Sequence, residues 1–131
     1  MTKIVMDTNV LVSALLSPNG NPAKILSLVV NEQVILCYDS RIILEYESVL
    51  LREKFPFKAQ DVWGLLNATR RIGMITLPKP SSKIFDDEGD KKFYEVAKDA
   101  GAYLITGNMK HFPQESWILL PTTFINLELM D

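Results

Sequence analysis

Short apolar runs alternate along this chain with longer stretches in which apolar positions recur every three to four residues. The runs Lys3–Met6, Val34–Tyr38, Met74–Leu77, Ala102–Thr106 and Trp117–Leu120 predict strands. Helices are predicted over Thr8–Ser17, Pro22–Asn31, Ser40–Lys54, Ala59–Ile72 and Asp90–Ala100, with a short terminal turn from Thr123 to Leu129. Ile4-Val5-Met6 is apolar at successive positions, the mark of a central strand of a parallel sheet covered on both faces. Asn21-Pro22 offers an N-cap followed by proline at the first helical position, and Ser40 can cap the next helix. Gly73 and Gly101 each fall just past a helix, where a left-handed C-cap is easiest. Pro78 and Pro80 open a loop, Leu77–Asp86, expected to be mobile. Strand alternating with helix implies an α/β fold: a parallel sheet with helices on both faces.

The polar positions that interrupt this pattern carry the chemistry. Asp7 ends the first apolar run and is followed at once by Thr8-Asn9 and the helical Val10–Leu16. A carboxylate at the carboxyl end of a central parallel strand lies where open α/β sheets bind ligands. In the helix from Ser40, Ile42, Ile43, Tyr46, Val49 and Leu50 form the core-facing stripe. Arg41, Glu45, Ser48 and Arg52 share the opposite face, so Glu45 is either a solvated partner of Arg41 or a site residue. Asp87 suits an N-cap and Asp90 the third position of the helix that follows, both favoured by the helix dipole. Asp90 also stacks one turn before Phe93 and Tyr94, over the core face, which helix-start chemistry does not explain. Thr106-Gly107-Asn108 follows the strand Tyr103-Leu104-Ile105 and reaches the edge that bears Asp7 if the two strands are parallel neighbours; a plain Gly-Asn turn accounts for it equally.

Were Asp7, Glu45 and Asp90 to meet, two of these carboxylates about 4 Å apart would repel by roughly 4 kcal/mol at an effective dielectric near 20. Convergence would then require protonation or a cation. With Thr106 and Asn108 as neutral oxygen neighbours, the set suits Mg²⁺ or Mn²⁺ and metal-assisted hydrolysis at phosphorus.

Composition narrows the classes without choosing among them. The 131 residues fit one domain spanning residues 1–131. At 47% hydrophobic and 23% charged they match a globular protein, with no apolar run long enough for a membrane span. The opening Met-Thr-Lys-Ile-Val runs straight into a strand, so no cleavable signal peptide is expected. Cys37 is the one cysteine and His111 the one histidine, which excludes a conventional zinc site. A lone cysteine inside an apolar strand suits a reducing, cytoplasmic setting. The net charge of −2 and pI of about 5.4 argue against a protein that coats nucleic acid, but not against a nuclease, whose bound cations reverse the local charge. Basic residues cluster at Arg41, Arg52 and Lys54, at Arg70 and Arg71, at Lys91 and Lys92, and at Lys110 with His111. Such clusters are most often solvated faces; Arg41, Lys110 and His111 are the candidate contacts to substrate phosphate.

The order Met6-Asp7-Thr8-Asn9-Val10-Leu11, then Ser40 to Leu44-Glu45-Tyr46 and Val49-Leu50, then Asp87, Asp90 and Phe93, then Ile105-Thr106-Gly107-Asn108 resembles the PIN domain. It is most similar to stand-alone bacterial and archaeal PIN proteins of the VapC kind, the toxins of toxin–antitoxin pairs. The resemblance implies a three-layer sandwich with a central parallel sheet of about five strands flanked by helices, and a Mg²⁺- or Mn²⁺-dependent endoribonuclease acting on RNA. It implies that Asp7, Glu45 and Asp90 are the catalytic, metal-binding acids, that Thr106 orients Asp7 and that Asn9 lines the site. It further implies a homodimer held inactive by a cognate antitoxin protein. Many PIN proteins carry a fourth acid where this chain has Asn108, which can still offer an oxygen to a metal but lowers the charge available for a second ion.

Three other α/β enzymes or modules fit less well. A haloacid-dehalogenase-type phosphatase needs a second Asp two residues after the first, where Asn9 stands. Phosphorelay receivers pair acids after the first strand and carry the phosphorylated Asp after a later one. A dinucleotide site needs a Gly-x-Gly-x-x-Gly turn that is absent from the sequence. The remaining alternative is a PIN-fold RNA-binding or protein-interaction module with a degenerate, non-catalytic metal site.

Overall fold

The computed structural model describes residues 1–130; Asp131 lies outside the described residues. Along them run β1 (Lys3–Met6), α1 (Thr8–Leu16), α2 (Asn21–Val30), β2 (Ile35–Tyr38), α3 (Ser40–Leu50), α4 (Ala59–Ile72), β3 (Met74–Ile75), α5 (Glu88–Ala100), β4 (Tyr103–Ile105), β5 (Ile118–Leu119) and α6 (Pro121–Met130). Among the described residues the five strands form one parallel sheet in the order β3-β2-β1-β4-β5, flanked by these six helices. A 3₁₀ turn, Met109–His111, follows β4.

β1 is central because Ile4, Val5 and Met6 are all fully buried, so neither face of the strand meets water. Each such side chain contributes about 1.5–3 kcal/mol by leaving water. On one side β1 pairs with β2, Lys3 against Ile35 and Ile4 against Leu36. On the other it pairs with β4, with Val5 opposite Leu104 and Met6 opposite Ile105. The chain builds outward from β1 to β2 and β3, then returns to place β4 and β5 on the opposite side. The strand order therefore reverses between β1 and β4, and their carboxyl ends bound the crevice where such sheets take ligands.

The helices are held by packing at their apolar stripes. α5 lies across β1, β2 and β4, with Phe93, Tyr94, Val96 and Ala97 buried beneath it. α1 packs on α2, and α2 on α6. α3 is pinned by the Tyr46 hydroxyl, which donates to the Met6 carbonyl at the end of β1. This single bond fixes the register of Glu45 relative to Asp7, the residue after Met6.

Several boundaries differ from the sequence reading, each for a local reason. α2 begins one residue earlier than predicted, with Gly20 as N-cap, because the Asn21 side chain is used elsewhere: its amide donates to Thr122 Oγ1 at 3.0 Å. α3 is capped by Asp39 rather than Ser40, its carboxylate accepting from the Ile42 N–H at 3.0 Å. It stops at Leu50 rather than Lys54, since Pro56 biases Phe55 away from helical backbone and the segment folds into turns. The terminal turn is a ten-residue helix, α6. The loop of residues 77–86 is fastened at two points: the Ser81 N–H donates to Glu95 Oε2 at 2.6 Å, and Phe85 is buried edge-on against Tyr94 and Phe112.

Gly101 is the left-handed C-cap expected, at φ 67. Gly73 is not; its φ of −82 suits any residue, and the need for glycine comes from crowding. A Cβ there would stand 2.6 Å from the Thr69 carbonyl oxygen and 2.8 Å from that of Leu36, both backbone atoms that cannot step aside. Gly73→Ala should therefore lower unfolding stability by about 1–3 kcal/mol in a urea titration, with unchanged slope. An unchanged midpoint would mean that the α4–β3 corner relaxes freely.

Candidate active site

Asp7 leaves β1 into the crevice, and its first neighbour comes from β4. Thr106, fully buried, donates its hydroxyl to Asp7 Oδ2 at 2.8 Å. The same hydroxyl oxygen accepts the Asn108 N–H at 3.0 Å, so the Thr106-Gly107-Asn108 turn is tied to Asp7 through one side chain. The Thr8 backbone, at the start of α1, also favours the ionised Asp7 carboxylate. These donors do not compensate fully for desolvation. Burial holds the Asp7 carboxyl above the usual range, Glu45 adds to the rise, and Thr106, Thr8 and His111 oppose it.

Asp90 sits in the first turn of α5, third after the Asp87 N-cap, as its spacing predicts. Its carboxyl is also raised, by burial first, then by the charges of Asp7, Asp87 and Glu45, with His111 opposing. Asp7, Glu45 and Asp90 thus come from three separate elements into one electrostatic neighbourhood. Such repulsion at a switch-point crevice is the pattern of a cation site or a shared proton.

A family model described as PIN domain matches residues 3–110. The chain belongs to the PIN domain family. Members of that family are generally nucleases. It is 34% identical over 109 residues to Uncharacterized protein MJ1680 of Methanocaldococcus jannaschii, a match covering 81% of this chain and 70% of that one. Among solved structures it is similar to a chain of VapBC2 from Rickettsia felis bound to a DNA fragment from their promoter, with a TM-score of 0.56 and 17% identity over 83% of this chain and 90% of that one. At that identity the likeness speaks for the PIN fold.

The remaining candidate side chains divide into those the crevice gathers and those it does not. Glu45 is held on both oxygens: Oε2 accepts the Thr8 hydroxyl, and Oε1 lies 2.6 Å from the Lys92 ammonium. His111 Nδ1 stands 3.4 Å from Asp90 Oδ2, and its Nε2 is 2.9 Å from the Asn108 amide nitrogen. The ring spans the Asn108 side-chain amide on one nitrogen and the Asp90 carboxylate on the other. His111 therefore joins Asp90 to the Asn108 turn. Asn9 is exposed on the first turn of α1, two residues past Asp7, and Lys110 is exposed beside His111. Arg41 pairs across the fold and not with Glu45, its neighbour on the helix. Its guanidinium contacts Asp39 Oδ2 at 2.6 Å and Glu95 Oε1 at 2.9 Å, on two nearly buried carboxylates.

Thr8 and Lys92 were missed as partners of the acids. The signal for Lys92 was its position: it lies one turn before Val96, at the head of α5's buried stripe, where a solvated lysine would be out of place. Asp7, Glu45 and Asp90 are hard oxygen donors whose mutual repulsion a divalent ion would relieve, so the donor chemistry fits Mg²⁺ or Mn²⁺. As arranged, however, no three acidic, histidine or cysteine side chains among the described residues converge tightly enough to hold an ion. Glu45 is turned to an ammonium instead.

Proposed function

We propose that this PIN protein is a Mg²⁺- or Mn²⁺-dependent endoribonuclease and the toxin component of a toxin–antitoxin pair. The observation that carries the reading is the placement of Asp7 and Asp90: two carboxylates raised by burial and by neighbouring acids, Asp7 by Glu45 and Asp90 by Asp7, at the crevice where the sheet order reverses. In this reading Asp7, Glu45 and Asp90 hold the ion, and Asn108 offers a neutral oxygen in place of a fourth acid. Bound there, the ion supplies Lewis-acid activation of water and charge neutralisation at a phosphodiester. Thr106 fixes the rotamer of Asp7 by its 2.8 Å hydrogen bond. His111, exposed and facing Asp90, orients that carboxylate, and Lys110 beside it is placed to meet RNA phosphate. Asn9 lines the mouth of the crevice.

The toxin role and a cognate antitoxin partner are supported by the PIN fold shared with VapBC2 and by the sequence motifs, and the homodimer by the motif resemblance alone. A cytoplasmic setting agrees with Cys37, a buried thiol that burial raises to about 11 and so leaves unreactive. Among the described residues no helix is long and apolar enough to cross a membrane.

The second reading, a PIN-fold module that binds RNA or protein without cutting, is favoured by the Lys92 contact on Glu45 and by Asn108. Incubation with a panel of labelled single-stranded RNAs separates the two. The nuclease reading expects fragments with Mn²⁺ or Mg²⁺, none with EDTA, and none from DNA of matching sequence. RNA retained uncut at every metal concentration would leave the binding module as the function.

A further inference from the structure

We propose that Lys92 is a positioning residue that competes with the divalent ion for Glu45, a built-in cation that sets the crevice for one metal; this rests on the metal-dependent reading of the same site.

Lys92 is the lysine or arginine that, among the described residues, forms an ion pair with any of the three acids. Its side chain is 11% exposed, so the ammonium is drawn largely out of water to stand 2.6 Å from Glu45 Oε1. Two further contacts seat it: the ammonium donates to the Gly89 carbonyl in the same helix turn and lies 4.9 Å from the Phe93 ring centroid. With the Thr8 hydroxyl on its other oxygen, Glu45 has a partner on each oxygen before any ion arrives. An ion that takes Glu45 as ligand must therefore share that carboxylate with an ammonium already bound there or displace it.

The charges point the same way. The three ionised acids carry three negative charges and Lys92 returns one positive, leaving a deficit that one divalent ion balances. Asn108, neutral where a fourth acid would add charge, keeps that balance. Lysine suits the task because its ammonium is a compact charge on a flexible stem that can swing aside without backbone movement.

The test is Mn²⁺ binding to the whole protein, followed by calorimetry and by the loss of free-Mn²⁺ spin resonance, with melting curves in EDTA. Lys92→Met keeps the stem's bulk and removes the charge; Lys92→Arg keeps the charge; Lys92→Gln replaces the methionine variant should it fail to fold. Relief of cation–cation repulsion should let Lys92→Met bind Mn²⁺ about tenfold more tightly than wild type. The same variant should melt lower than wild type in EDTA and gain more from added Mn²⁺, while Lys92→Arg stays near wild type in both. Wild type silent towards Mn²⁺ with Lys92→Met binding would also support the competition. Equal or weaker binding by a folded Lys92→Met, with wild type binding normally, would overturn the inference and leave the nuclease reading intact. No binding by either protein, even with RNA present, would overturn both.

Discussion

Asp7→Asn is expected to abolish RNA cleavage and, in the same protein, to raise the melting temperature. The two effects come from one cause. Asp7 is buried beside Glu45, and the fold holds its carboxyl above the usual range despite the opposing pull of Thr106, Thr8 and His111. A metal ligand contributes at least as much as the groups behind it, so cleavage should fall by about 100-fold or more. Stability moves the other way because the native state prefers Asp7 protonated. Its contribution is fully present below the ordinary carboxylate pKa and is lost as pH rises through the raised, folded value. At neutral pH and without metal, wild type therefore carries an uncompensated charge that asparagine, nearly the same shape, does not. Melting in EDTA at pH 7 should rise by roughly 2–6 °C in Asp7→Asn, and the gap should close near pH 4. Equal melting at pH 7 with cleavage lost would assign Asp7 to chemistry alone. Cleavage retained in a clean preparation would remove Asp7 from the site.

Arg41→Ala should do the opposite, costing stability while sparing chemistry. Arg41 is the shared counter-charge of Asp39 and Glu95, whose side chains are only 7% and 5% exposed. Both carboxylates also have structural duties. Asp39 caps α3, the helix that carries Glu45, and Glu95 fastens the Ser81 N–H of the loop before α5. Truncating a partner of buried charges is strongly destabilising, but the half-exposed guanidinium screens part of the loss, so about 2 kcal/mol is expected. For a chain of this size that is a fall of roughly 6–10 °C in melting temperature. Cleavage at 25 °C should change little, because the guanidinium points to these acids and not to the crevice. A tenfold rise in KM at unchanged melting temperature would instead restore Arg41 as a phosphate contact.

These outcomes bear on how much of the protein its sequence disclosed. The strands and their parallel arrangement were legible because apolar runs such as Ile4-Val5-Met6 need burial on both faces, which helices above and below a parallel sheet supply. Asp7 and Thr106 stood out because each ends such a run abruptly with a short polar side chain. Pairing was harder. Arg41 and Glu45 are four residues apart on one helix, and local spacing favours their ion pair. The fold separates them, because Glu95 and Lys92 arrive from α5, some fifty residues later in the chain, and offer each a more buried partner. Capping shows the same limit on a smaller scale. Both Asp39 and Ser40 are good caps, and only the extended backbone at Asp39 decides between them. Gly73 looked like a left-handed helix end, whereas a carbonyl of β2 passing close by is what excludes a side chain. For the ion pairs and for Gly73 the missing information was a contact distant in sequence; for the cap it was the local backbone angle.

The most direct measurement of the central claim is anomalous diffraction from crystals grown with Mn²⁺ and a short single-stranded RNA. The account predicts a metal peak in the crevice between β1 and β4, within ligand distance of the Asp7 and Asp90 carboxylates, with an RNA phosphate beside it and Lys92 moved off Glu45. A crevice without a metal peak while Lys92 still holds Glu45, or Mn²⁺ bound at another surface, would contradict it.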